Sequence, residues 1–594
     1  MQETWNLTAL FKSDDDSAIE KRKKEVSERI AKFVSKWKVR EDYLSELRIL
    51  REALDDFEEL QKNYGCEGGI VFYFSLRSAQ EENNPEVKAK YGQALEFARK
   101  MDNEIRFFNL KLGKISQDLQ KKILTDKSLE KYKHYLERIF AQAKYQLSEK
   151  EENILSLKAD VSYTNWVKMV SGFLSIEERE VLDEDGKKRK KNFSEIDNLL
   201  KSIKKDVRDS AGKAFNDILL KHIDVAEHEL NSVLQNKKID DELRNLSRPD
   251  ASRHIDDDLE SEVVDSLVES VSSRFSIVQK YYELKAKLMN VDKFEYHERN
   301  VPYVSGKSEK IYSYPQAIAL VRKVFAELDP EFSSILDRYV ENNQIDAFPT
   351  KGKRSGAFCS DDLISLPTFV LLNHSGALRD VTVIAHEMGH AINSELMKRQ
   401  HALNFGTLLS TAEVASTFME DFVLKEVEKT ADDKLKLELI MARLQDDIST
   451  IFRQIACYRF EKELHAEFRT KGYISKENIG RIFYKNMGGY LGETAKGSEN
   501  WWVYWSHIRT YFYNYSYASG LLISKTMQAQ VKKDKKFIFK IKEFLSAGTS
   551  ASPRDTFLKM GIDITDKKFW NTGLDEVENL LKEAETLAKK LGKI

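Results

Sequence analysis

Apolar residues recur at three-to-four spacing through most of this chain, with charged residues on the opposite faces, and that rhythm predicts helix. The first 18 residues lack it and form an extended arm, ending in the cluster Ser13-Asp14-Asp15-Asp16-Ser17 that suits a helix N-cap. Amphipathic helices are then expected over 18–37, 41–63, 84–124 and 128–146, again from 193 to 288, over 315–332 and 432–470, and over 521–532, 534–546, 554–560 and 574–591. Four stretches break the pattern. Within 176–194 an acidic run meets Gly186 and then a basic run, which predicts a surface hairpin or loop and a soft boundary between regions 1–190 and 191–594. Residues 291–315, with two prolines, Gly306 and many aromatics, predict a long connection. Residues 345–358 are basic and Gly-rich, and 485–500 carry the richest glycine patch, expected to be a mobile loop. The run 367–372, Pro-Thr-Phe-Val-Leu-Leu, is β-prone, and a strand there would be one of few.

Composition narrows the class. Eight prolines and 25 glycines in 594 residues agree with a mainly α protein. Lys and Arg total 95 against 97 Asp and Glu, a net charge of −2, so no basic field is available for nucleic acid. Cys66, Cys359 and Cys457 are odd in number and far apart, which predicts reduced thiols in a cytoplasmic protein. Neither a signal-like N-terminus nor an 18-residue apolar run occurs, and no membrane partner is expected.

Chemistry concentrates at 381–393, VTVIAHEMGHAIN. His386 and His390, four apart on a helix, lie on one face and can reach one ion, and Glu387 can sit beside that ion without ligating it. That is the arrangement in which Zn²⁺ acidifies water and a carboxylate takes the proton. A catalytic zinc needs a third protein ligand, and Glu413 in STAEVASTFME supplies a carboxylate among small residues that allow close helix approach. Glu420, two turns further on, is a candidate to orient a ligand histidine. His297 has no partner at metal spacing, His374 lies in the turn 373–376, and both are expected to be structural. The 345–358 segment lacks the phosphate-loop pattern G-x-x-x-x-G-K-[ST].

HEMGH followed by AEVASTFME resembles the oligoendopeptidase F and thimet oligopeptidase family of zinc metallopeptidases, nearer the oligoendopeptidase F branch. TWNLTALFKSDDD, DAFPTKGKRSGAFC, FVLLNHSGALRDV and HIRTYFYNYSYASG agree with it, so the similarity spans most of the chain. It implies a large two-lobed helical zincin body enclosing a substrate channel, with region 1–190 lining one side and 191–594 carrying the chemistry. It also implies one Zn²⁺ per chain and endopeptidase action on short peptides. The free edge of a strand at 367–372 would suit an extended peptide, and the 485–500 loop could order over it.

The stretch 501–520, WWVYWSHIRTYFYNYSYASG, offers hydrogen-bond donors for the negative charge that develops during peptide hydrolysis. Helical spacing puts His507, Tyr511 and Tyr515 on one face, with Tyr513 and Tyr517 on another. His507 and Tyr515 are the first candidates, with Tyr511 and Tyr513 as alternates. Two other functions fit the same motif: a zinc carboxypeptidase or dipeptidase, with Arg509 gripping a C-terminal carboxylate, or a non-catalytic peptide-binding protein.

Overall fold

The structure, a computed structural model, describes residues 4–305 and 311–594, without the side chains of Glu149 and Asn153. Gly306 lies outside the described residues. Helix accounts for 70% of the chain and strand for 3%, so the protein is mainly α as its periodicity predicts. Two compact units form, each from separated stretches: Met1–Lys144 with Glu309–Lys429 and Gln530–Ile562, and Tyr145–Ser308 with Thr430–Ala529 and Asp563–Ile594. Residue 190 falls inside the second unit. No helix among the described residues is long and apolar enough to cross a membrane.

In the first unit Asp16 caps helix Ser17–Trp37 by accepting the Ala18 N–H. The stripe Val26, Ile30, Phe33 and Trp37 packs on Leu50, Leu54 and Phe57 of helix Leu47–Asn63. The single helix expected over 84–124 is three: Pro85–Ile105, Phe107–Leu112 and Gln117–Thr125. A straight helix over that stretch would run about 60 Å, whereas its turns bring Phe108, Leu112 and Ile123 into one core. Helix Ile70–Gln80, absent from the sequence reading, buries Ile70, Phe72, Tyr73, Phe74 and Leu76; apolar nearly all round, it carries no amphipathic signal.

The β-prone run does form a strand, Phe369–Leu371, but it has no free edge. Ile345–Asp346 pairs parallel on one side and Phe358–Ser360 antiparallel on the other. The basic segment between those flanking strands is held by its own lysine: Lys353 Nζ donates to Asp346 Oδ1 at 2.7 Å and to the Phe348 carbonyl at 2.7 Å. The N-terminal arm fastens the sheet, with Trp5 Nε1 donating to the Val370 carbonyl at 2.8 Å and the Asn6 N–H to that of Asn343.

The second unit is built along helix Lys205–Leu243. The acidic and basic runs form an antiparallel hairpin, Glu178–Leu182 with Lys188–Asn192, in which Lys190 lies opposite Glu180 and pairs diagonally with Glu178. Exposed pairs of this kind contribute little; buried Val181 and the left-handed Gly186 fix the hairpin. The glycine patch at 485–500 is not a loop in its first half. Helix Lys476–Leu491 continues through Gly488 and Gly489, where a Cβ at Gly489 would meet the Phe275 ring at 3.4 Å, an ordinary contact.

Candidate active site

Helix Leu378–Met397 carries the His-Glu-Met-Gly-His motif. Its start is set by Asp380, whose Oδ2 accepts the backbone N–H groups of Ser375, Gly376 and Ala377 at 2.7–3.0 Å. The Ala377 N–H, at the N-cap, would otherwise be orphaned, and the other two bonds fix the chain that enters the helix. Helix Glu413–Glu428 packs along the motif helix, with Glu413 in its first turn. The approach is close because position 389 is glycine: a Cβ there would lie 2.6 Å from Ser416 Cα and 2.7 Å from the Ala415 carbonyl oxygen. Backbone cannot swing aside as a side-chain tip can. Gly389→Ala is therefore expected to push the helices apart, lowering bound metal and destabilising the protein by about 1–3 kcal/mol or more, the range for overpacking. Melting temperature and metal content unchanged from wild type would refute this account of the seam.

Across that seam the predicted ligands converge. Glu413 Oε2 lies 3.4 Å from His386 Nε2 and 3.5 Å from His390 Nε2, and the three ligand atoms lie within 4.8 Å of one another. Two imidazole nitrogens and a carboxylate oxygen, all half-exposed, match a catalytic zinc site that keeps a position open. His386 Nδ1 donates to Glu420 Oε2 at 3.0 Å, which fixes the tautomer that leaves Nε2 free to ligate. Ser416 Oγ donates to Glu413 Oε2 at 2.8 Å; its place three residues after Glu413 was the one sequence signal for it. Burial alone would lower the His386 pKa, but the Glu413 and Glu420 carboxylates carry it up to about 10, an excess of negative charge suited to a cation.

Glu387 faces away from solvent, 6% exposed. Burial raises its pKa above the ordinary carboxylate value, while His386, His390 and a backbone hydrogen bond from Cys359, in the strand beside the motif helix, pull the other way. His374, buried, engages the Tyr312 carbonyl at 2.9 Å and is structural. His297 lies in a second group of potential ligands, Asp209, His297 and Glu298. Lys205 and Arg208 occupy those carboxylates, leaving no surplus negative charge for an ion.

The aromatic stretch departs from helical spacing. His507 sits in a 3₁₀ turn, Ser506–Arg509, and the next helix begins at Tyr515. Between them Tyr511 and Phe512 adopt left-handed backbone, with φ of +52° and +61°. The grouping of His507 with Tyr511 and Tyr515 therefore does not form. His507 stacks on Tyr513, 5.4 Å between centroids and 20° between planes, and stands 5.9 Å from Tyr517. Burial, then Arg453, lowers its pKa to about 4, so the ring is neutral near pH 7. Tyr515 is fully buried; its hydroxyl donates to Asp257 at 2.5 Å and its ring meets His254 and Tyr458 edge-on. Tyr511 donates to the Val233 carbonyl. Arg509, 3% exposed, makes two 2.6 Å bonds to Glu229 and donates to the carbonyls of Trp502, Val503 and Trp505.

The family model of peptidase family M3 matches residues 198–576, and that of oligopeptidase F matches 111–170. Oligopeptidase PepF of Bacillus subtilis is 25% identical, over 98% of this chain and 87% of its own. An oligoendopeptidase F homolog of Lactococcus lactis is 24% identical over 99% and 97%. Among solved structures, oligoendopeptidase-F from Enterococcus faecium has the same fold, with a TM-score of 0.71 at 18% identity over 97% of this chain and 100% of that one. PZ peptidase A aligns with a TM-score of 0.66 at 17% identity, covering 95% and 97%. With ligand geometry, family models and full-length relatives in agreement, the chain belongs to peptidase family M3, in its oligopeptidase F branch, and is a zinc metalloendopeptidase of short peptides.

Proposed function

We propose that one Zn²⁺ per chain is held by Nε2 of His386, Nε2 of His390 and the Glu413 carboxylate, and that Glu387 moves the protons of peptide-bond hydrolysis. When bound, the ion supplies Lewis acidity toward the scissile carbonyl and toward water. Glu387 takes a proton from the attacking water and returns it to the departing amine; its raised pKa brings it nearer the operating pH, where one group serves as both base and acid. Glu420 and Ser416 hold His386 and Glu413 in register. The observation that carries this reading is a buried carboxylate, Glu387, next to His386 on the helix whose two histidines converge with Glu413, a group that simple peptide binding does not require.

Strand Phe358–Ser360 supports a mode of substrate capture. Among the described residues it pairs with a neighbour on one side only, and it adjoins the motif helix. An extended peptide adding to that edge would be gripped by main-chain hydrogen bonds whatever its sequence. The carboxypeptidase alternative loses its anchor, because Arg509 is already saturated by Glu229 and three carbonyls.

For the charge developing on the scissile oxygen we assign donation to His507, Tyr513 and Tyr517, in place of Tyr515, whose hydroxyl is committed to Asp257. Tyr513→Phe and Tyr517→Phe are expected to lower kcat and kcat/KM together by about 10²-fold, with KM little changed, the effect of losing one oxyanion donor. Tyr511→Phe and Tyr515→Phe should stay within a few-fold. The assay is hydrolysis of an internally quenched peptide blocked at both ends, with zinc content as control. Equal activity in all four variants would remove the stretch from the mechanism, and failure to cut the blocked peptide would exclude endopeptidase action.

A further inference from the structure

Two consecutive non-glycine residues in left-handed backbone, Tyr511 and Phe512, form a strained turn that persists only if something holds it. One side chain receives the hydrogens that the turn directs inward. Glu461, on helix Arg453–Lys471, accepts the Phe512 N–H at 2.7 Å on one carboxylate oxygen and Asn514 Nδ2 on the other. It is 0% exposed, and no ion pair among the described residues includes it. No cation among the described residues touches its carboxylate, and Arg253 acts on it only at a distance. Cys457 lies one turn earlier on its own helix, 3.9 Å away. His465, one turn later, is neutral because burial pushes its pKa well down. Arg253 points its Nε at the Tyr511 carbonyl at 3.5 Å, and Lys237, over the Tyr511 ring, is paired with Asp241. Buried in this way, the Glu461 carboxyl is pushed up to about 8.

We propose that Glu461 is a positioning residue for peptide hydrolysis: by clamping the left-handed turn it sets Tyr513 and Tyr517 against His507. The proposal rests on the reading of those three residues as transition-state donors. The clamp does not need a charge. Among the described residues Asn514 Oδ1 is buried without a hydrogen-bond partner; with the Asn514 amide turned over, a protonated Glu461 can donate to that oxygen while still accepting the Phe512 N–H. Glutamine can do both as well, its Oε1 accepting and its Nε2 donating. Alanine can do neither.

The test is steady-state kinetics on the zinc-loaded, full-length protein. Glu461→Ala is expected to lower kcat and kcat/KM about 10-fold or more, with KM and zinc content little changed, as for an interaction made only in the transition state. Glu461→Gln should recover to within a few-fold of wild type. In a Tyr513→Phe/Tyr517→Phe background Glu461→Ala should cost almost nothing further, because the groups it positions are gone. Wild-type kcat in Glu461→Ala, or a loss undiminished in the double background, overturns the proposal. Should Glu461→Ala fail to fold, Asn514→Ala removes one of the two anchors and is expected to behave likewise in both backgrounds; wild-type kcat there overturns it equally. If Tyr513→Phe and Tyr517→Phe are themselves without effect, the donor reading fails first and this proposal falls with it.

Discussion

Glu387→Gln should retain full zinc and lose activity by 10²–10⁴-fold, the usual contribution of general acid–base catalysis and about 2.7–5.4 kcal/mol of barrier. The amide fills the space of the carboxylate and can still accept the Cys359 backbone hydrogen bond, so shape and ligands survive while the proton acceptor does not. Because burial raises the Glu387 pKa, wild-type kcat/KM should fall as pH drops through that raised value, and the variant should lack this acid limb. Stoichiometric zinc by metal analysis together with the kcat loss is the expected pair of results. Zinc loss accompanying inactivation would make Glu387 a ligand and overturn its assignment as the base.

Glu413→Ala should lose the metal instead. Two imidazoles remain, fewer than the three protein ligands of a catalytic zinc site, and Ser416 loses its carboxylate partner. Activity should fall to background at ordinary zinc concentrations, with the metal removed by brief dialysis against a weak chelator that leaves the wild type loaded. Stoichiometric retention under that treatment would shift the third-ligand role to Glu420, whose carboxylate already touches His386.

The convergence of His386, His390 and Glu413 was legible in the sequence because it obeys local geometry. His386 and His390 share a helix face by spacing alone, and Glu413 sits among alanine, serine and threonine that permit close approach. The aromatic stretch was not legible for the opposite reason. Nothing in His507-Ile-Arg-Thr-Tyr-Phe-Tyr indicates that Tyr511 and Phe512 will turn left-handed, since that conformation is enforced by Glu461, fifty residues upstream, and not by the residues that adopt it. Helical spacing then chose Tyr515, where the turn brings Tyr513 and Tyr517 to His507. Helix Ile70–Gln80 escaped notice because burial on nearly every face erases periodicity. The β-prone run was recognised as a strand, but its neighbours were not, because Ile345–Asp346 and Phe358–Ser360 are too short to announce themselves. With both neighbours in place, Phe369–Leu371 has no edge to offer.

The seam at Gly389 bears on how this protein takes up its metal. With two helices meeting backbone to backbone, the spacing between the histidine pair and Glu413 belongs to the packed body of the first unit and does not have to be created by the ion. In small zinc domains, metal binding and folding are one event. Here the close packing of the two helices at Gly389 itself sets the spacing of these side chains, so removing and restoring the ion is expected to leave this socket and the fold in place. Other divalent ions that accept a tetrahedral set of nitrogen and oxygen donors can enter the same socket, and supply in the surroundings will weigh heavily in which one occupies it.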